Sequence, residues 1–132
     1  MQNSLYDENK QFVFYPPYVP CCSGSGKWFF FCSQKRVVET WEQIKMSFNQ
    51  DELCNIKSLM CSTQSEYTTC KYMDAVIMFI CDQKDEAAIL KTGQLLLSKI
   101  DYKGENLYLY YKNGQSEDNI QGKNYKYKIK KT

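Results

Sequence analysis

The chain has 132 residues, 43% of them hydrophobic and 15% aromatic, with 17 basic against 15 acidic side chains and a net charge of +2. This length and composition suit one globular domain rather than a disordered segment, and so small a charge decides little about partners, since a domain committed to nucleic acid is usually more basic. Histidine is absent, which excludes Ser-His-Asp and Cys-His catalysis.

Residues 1–25 contain Tyr15-Pro16-Pro17-Tyr18-Val19-Pro20, followed by Cys21-Cys22-Ser23-Gly24-Ser25-Gly26. Proline removes donors and fixes φ, and the Gly/Ser run adds freedom, so 1–25 is expected to be an irregular lead-in to a single α+β domain over 26–132. Residues 27–32 have the aromatic composition of a buried strand. Ser33 is the expected N-cap of a helix in which Val37, Val38, Trp41, Ile44, Lys45 and Phe48 recur at helical spacing, with Asn49 as a stop. Residues 55–62 predict a strand containing Ile56, Leu59 and Met60, residues 63–71 a polar loop, and residues 75–81 the central strand.

Asp82 or Asp85 can cap a second helix, with Ala88, Ile89, Thr92, Leu95, Leu96 and Ile100 along one face. Residues 107–112 predict another strand, 113–123 a polar loop and 124–130 a last strand of alternating Tyr and Lys. The order β-α-β-β-α-β-β implies an α+β fold, one antiparallel sheet covered on one face by two helices.

The longest apolar runs, 75–81 and 107–111, fall far short of the roughly 20 residues that cross a bilayer. Residues 1–10 lack the basic start and apolar block of a secretory signal, so a cytoplasmic, reducing location and no membrane partner are expected. Seven cysteines without a C-x-x-C pair argue against a zinc module and predict free thiols packed as small hydrophobes. No cofactor is expected.

Gly26-Lys27-Trp28-Phe29-Phe30-Phe31 followed by Val38-Glu39-Thr40-Trp41-Glu42-Gln43-Ile44 resembles the opening of the uncharacterised basophilic-leukaemia-expressed protein (Bles) family, a G-K-W strand and a V-x-x-x-W-x-x-I/L helix. Cys61-Ser62-Thr63, residues 76–81 before an acidic helix start, and Leu109-Tyr110-Tyr111-Lys112 before an acidic loop with Gly122 extend the similarity over about residues 26–130. The resemblance implies the fold of cap-binding translation initiation factor 4E, a curved antiparallel sheet with helices on its convex back. In that fold two loop tryptophans sandwich a methylated guanine. Here Trp28 lies inside the first strand, only twelve residues separate it from Trp41, and there is no third tryptophan. That spacing leaves no room for the clamp loop. Trp41 matches instead the helix tryptophan through which the initiation factor contacts partner proteins.

Tyrosine could take over stacking, and Tyr67, Tyr72, Tyr102, Tyr108, Tyr110, Tyr111, Tyr125 and Tyr127 are available, although tyrosines in strands are commonly ordinary sheet residues. In the last strand, period two places Lys126, Lys128 and Lys130 on one face and Tyr125, Tyr127 and Ile129 on the other. Such a stripe can track phosphates or guard a sheet edge. Lys57, Lys71, Lys91 and Lys112 are dispersed basic residues, of which the resemblance brings Lys71 close to where the cap-binding family holds phosphates.

The ligand set read from the sequence is Lys71, Lys112, Tyr110, Tyr111, Lys126 and Lys128, for non-catalytic binding of a nucleotide, RNA or other phosphorylated ligand on the concave sheet face. A protein-interaction surface of Trp41, Lys45 and Phe48 is the first alternative. A cysteine enzyme using Cys32, Cys61 or Cys70 is the second, and Asp74, Asp82 and Asp85 are candidate metal carboxylates that helix capping otherwise explains for the last two.

Overall fold

The computed structural model describes residues 12–17, 26–62, 75–100, 107–113 and 125–131. Its elements are β1 (Phe12–Tyr15), β2 (Gly26–Cys32), α1 (Val37–Asn49), β3 (Ile56–Ser62), β4 (Ala75–Cys81), α2 (Glu86–Lys99), β5 (Tyr108–Asn113) and β6 (Tyr127–Lys130). The six strands form one curved antiparallel sheet in the order β1-β3-β4-β2-β5-β6. The α+β class expected from the sequence is the class observed.

The irregular lead-in expected over 1–25 contributes a strand. The short apolar run Phe12-Val13-Phe14-Tyr15 pairs with β3, Phe14 opposite Met60, and becomes the sixth strand. Its partner lies far away in sequence, and Pro16 directly after it is compatible with an edge strand.

Two layers of side chains leave the sheet. Toward the helices point Trp28, Phe30 and Cys32 from β2, Leu59 and Cys61 from β3, Ile77, Phe79 and Cys81 from β4, and Leu109 and Tyr111 from β5. Val37, Trp41 and Ile44 of α1 and Ile89, Leu96 and Leu97 of α2 complete this core, so both helices lie on the same, convex face. Toward the other face point Phe29, Met60, Val76, Met78 and Ile80, a second apolar cluster.

Local chemistry sets the helix ends. Ser33 does not cap α1. The N-cap is Arg36, which makes no side-chain capping bond, and the Ser33 carbonyl accepts from the Arg36 N–H at 3.1 Å. Asp85 does cap α2, its carboxylate accepting from the Ala88 N–H at 3.1 Å. Between α1 and β3 the chain turns through positive φ at Asp51 (59°) and Asn55 (70°), a region these short polar residues tolerate.

Gly93 and Leu97 join the buried face of α2, while Ala88 and Leu95 are only half-buried. A Cβ on Gly93 would lie 2.5 Å from Trp28 Cζ2 and 2.7 Å from Ile129 Cδ1, so glycine here lets the helix settle on the tryptophan. No helix among the described residues is long and apolar enough to cross a membrane.

Candidate nucleic-acid interface

Antiparallel register carries one row of side chains across all six strands on the helix-free face: Phe14, Met60, Met78, Phe29, Tyr110 and Lys128. The row begins apolar at β1 and ends cationic at β6. Residues two apart on a strand share a face, so Tyr108 and Lys112 flank Tyr110 on β5, and Lys130 joins Lys128 on β6.

The aromatic rings form a continuous surface at this end. Tyr108 stacks on Tyr110 at 6.5 Å with 28° between planes, Phe31 meets Tyr110 edge-on at 5.7 Å, and Tyr125 leans on Tyr110 at 4.9 Å and on Phe29 at 5.9 Å. Lysines lie over the rings. Lys128 Nζ is 4.8 Å from the Tyr108 centroid and 5.6 Å from that of Tyr110, Lys130 Nζ is 5.5 Å from Tyr108, and Lys112 Nζ is 5.1 Å from Tyr125. Lys128 and Lys130 are exposed, whereas Tyr108, Tyr110 and Lys112 are half-buried. No acidic residue lies in β2, β5 or β6, and Lys128 and Lys130 form no ion pair among the described residues. Farther in, Lys27 is buried on the same face, opposite Lys112.

Of the six ligand residues read from the sequence, Tyr110, Lys112 and Lys128 come together here. Lys71 lies outside the described residues, as do Tyr67, Tyr72, Tyr102, Cys70 and Asp74. Tyr111 faces the helices. It is fully buried, its ring 5.1 Å from that of Trp28. The hydroxyl has no partner at conventional hydrogen-bonding distance, although it neighbours the Cys81 thiol, a weak acceptor. Burial, then the neighbouring Cys81, pushes its pKa up to about 12. A tyrosine held in this way packs the core.

Lys126 also departs from the stripe. Its N–H bonds the Tyr111 carbonyl at 2.7 Å before the strand proper begins, and its Nζ lies 5.5 Å from Tyr127, a ring packed on the helix side. The same bend separates Tyr125, on the helix-free side, from Tyr127 and Ile129, so these three do not share a face. Tyr108 and Lys130 belong to the surface but not to the set read from the sequence. The signal for both is period two, counted from Tyr110 and Lys128.

The helix alternative meets β1. Trp41 is 1% exposed and lies in the core. Lys45 pairs with Glu42 at 2.9 Å and lies 5.4 Å from the Tyr15 ring and 5.7 Å from that of Trp41. Phe48 packs edge-on against Tyr15 at 6.0 Å, and the Tyr15 hydroxyl donates to Asn49 Oδ1 at 2.9 Å. Phe48 therefore packs against the strand that the sequence pattern does not predict, while Trp41 is part of the core.

Cys32, Cys61 and Cys81 are free and buried, and Cys54 is free and exposed. Desolvation raises the pKa of Cys61 well above that of an ordinary thiol, with Cys32 adding to it and Lys45 opposing. Such a thiol stays protonated and is a poor nucleophile. Lys57 pairs with Asp82 at 3.8 Å, and Lys91 rides on α2. Among the described residues no three His, Cys, Asp or Glu side chains gather as a metal site. Comparison with models of known protein families and with curated proteins finds no match to this chain.

Proposed function

We propose that the chain is a non-catalytic binding domain for a nucleotide, RNA or other phosphorylated ligand, held on the helix-free face where β5 meets β6. One observation carries this reading: Tyr108 and Tyr110 form an aromatic platform beside exposed Lys128 and Lys130, which have no carboxylate partner among the described residues. The resemblance to the initiation-factor-4E fold points to the same concave face, and the buried free thiols suit a reducing, intracellular setting.

Magnitudes favour exchange of lysine for ligand. An exposed cation over a ring is worth about 0.5–1 kcal/mol. A base stacked on an aromatic side chain is worth about 1–3 kcal/mol. A base therefore displaces Lys128 from the Tyr108 ring, and the released ammonium, on its flexible four-carbon stem, is free to meet a phosphate.

The test is fluorescence anisotropy at low salt with labelled RNA homopolymers, alongside a nucleotide panel as competitors. Binding is expected, weakened roughly tenfold or more by Lys128→Glu with Lys130→Glu, because charge contacts dominate such affinities. The absence of binding to every member, or charge reversal without effect, would end the proposal.

A further inference from the structure

We infer that the ligand is single-stranded RNA, taken as two successive nucleotides rather than as a mononucleotide; this rests on the function proposed above. The geometry behind it is a repeat. Tyr108 lies opposite Lys130 and Tyr110 opposite Lys128, so the same aromatic-cation pair occurs twice, two residues apart, on antiparallel neighbours. Each pair is a rung with one ring for a base and one ammonium for a phosphate.

Spacing distinguishes the forms of nucleic acid. The two rings lie 6.5 Å apart and nearly parallel. Stacked duplex DNA advances about 3.4 Å per nucleotide along each strand, roughly half that step, and a duplex hides its base faces. An extended single strand with splayed bases matches the step and offers those faces to the rings. Lys128 reaches both rungs, 4.8 Å from one ring and 5.6 Å from the other, and so occupies the position where the phosphate linking two nucleotides would pass. Lys130 attends only the outer rung, within 5.5 Å of Tyr108.

The repeat stops at two. The next residue along this face of β5 is Lys112, whose ammonium lies over Tyr125, and Lys126 has turned toward Tyr127. Phenylalanines fill the interior of the face at Phe29 and Phe31, whereas both rung positions are tyrosine. A phenol hydroxyl can bond the ribose 2′-OH, which deoxyribose lacks, and this selects RNA over DNA.

Titration of the full chain with uridine monophosphate, the dinucleotide UpU, hexauridylate and hexadeoxyuridylate tests each step. UpU is expected to bind at least about fivefold tighter than the monophosphate, from the second stacked base. For hexauridylate, log K against log salt should have a slope of about −1.4 for two phosphate contacts, halved by Lys130→Gln and nearly abolished by Lys128→Gln with Lys130→Gln. Tyr108→Phe, which keeps the ring, should retain UpU stacking and reduce the preference for RNA.

Equal affinity for the monophosphate and hexauridylate would overturn the two-rung site while leaving nucleotide binding intact. Equal affinity for the two hexamers would overturn the assignment to RNA, and no binding by any of the four would remove the inference, the function beneath it falling only if the homopolymers and the nucleotide panel fail as well. The exposed lysine variants separate loss of binding from loss of fold, checked by a thermal melt of each.

Discussion

Tyr110 and Tyr111 are neighbours on β5 with the same side chain, yet they lie in different environments. Tyr111 enters the layer beneath the helices, fully buried, its hydroxyl without a conventional partner. Tyr110 enters the opposite layer, half-buried, with Lys128 over its ring. Strand geometry alternates the faces, but the difference in chemistry comes from what each face meets: Trp28 and Tyr127 on one side, Phe31, Tyr125 and lysines on the other. One strand thus supplies core packing through odd positions and a candidate binding surface through even ones.

The sharpest way to break this contrast is to truncate each face of β5. Leu109→Ala, at a fully buried position, should cost about 2–5 kcal/mol in urea unfolding. Lys128→Gln on the neighbouring strand, exposed, should stay within about 0.5 kcal/mol. Comparable losses at both sites would mean that the helix-free corner is as structural as the core.

Next in size is Gly93→Ala on the helix side. Replacing a helical glycine gains about 1 kcal/mol of propensity, but the added methyl meets buried Trp28 and Ile129 well inside van der Waals distance. Overpacking of this kind costs about 1–3 kcal/mol, so a lowered unfolding midpoint is expected and a raised one would show that the layers can part.

The helix-side layer also responds to pH, through Tyr111 and its neighbour Cys81. Burial raises Cys81 from an ordinary 9.0 to about 11 and Tyr111 from 10.0 to about 12. Between those limits the unfolded chain loses protons that the folded chain keeps, so the unfolded state gains and stability falls with rising pH. The expected curve is flat with respect to these two groups below about pH 9 and declines from there toward pH 12. Tyr111→Phe should shallow the decline, and an unchanged slope would show that Tyr111 does not contribute to it. At neutral pH, Tyr111→Phe is expected to be neutral or stabilising by up to about 1 kcal/mol, because it removes a buried hydroxyl that lacks a good partner. A large loss would reveal that the hydroxyl is satisfied.

The smallest effect sharpens the comparison most. Lys128→Gln with Lys130→Gln should leave the melting temperature nearly unchanged while weakening RNA binding, which would separate the function of the corner from its packing.

Much of the fold was legible from local pattern. Ala75 to Cys81 reads as a continuous apolar run and is buried throughout as a central strand, and Asp85 with its downstream periodicity marks α2. β1 was not legible, because four residues ahead of a proline-rich stretch have little pattern of their own and pair with a strand more than forty residues away. The site was half legible. Tyr110, Lys112 and Lys128 were identified by residue type, but reading Tyr110 with Tyr111 as a pair ignored the alternation that divides them, and the bend at Lys126 broke the assumed register.

By itself the sequence determined the α+β order, both helices, five of the six strands and the excess of tyrosine and lysine at the C-terminal end, since propensity, capping and hydrophobic period act over a few residues. Tertiary structure alone decided the strand order, the burial of Trp41 and Tyr111, and the alignment of Tyr108 and Tyr110 with Lys130 and Lys128. Register between strands distant in the chain is set by the fit of two side-chain layers at once, a condition that no single segment contains.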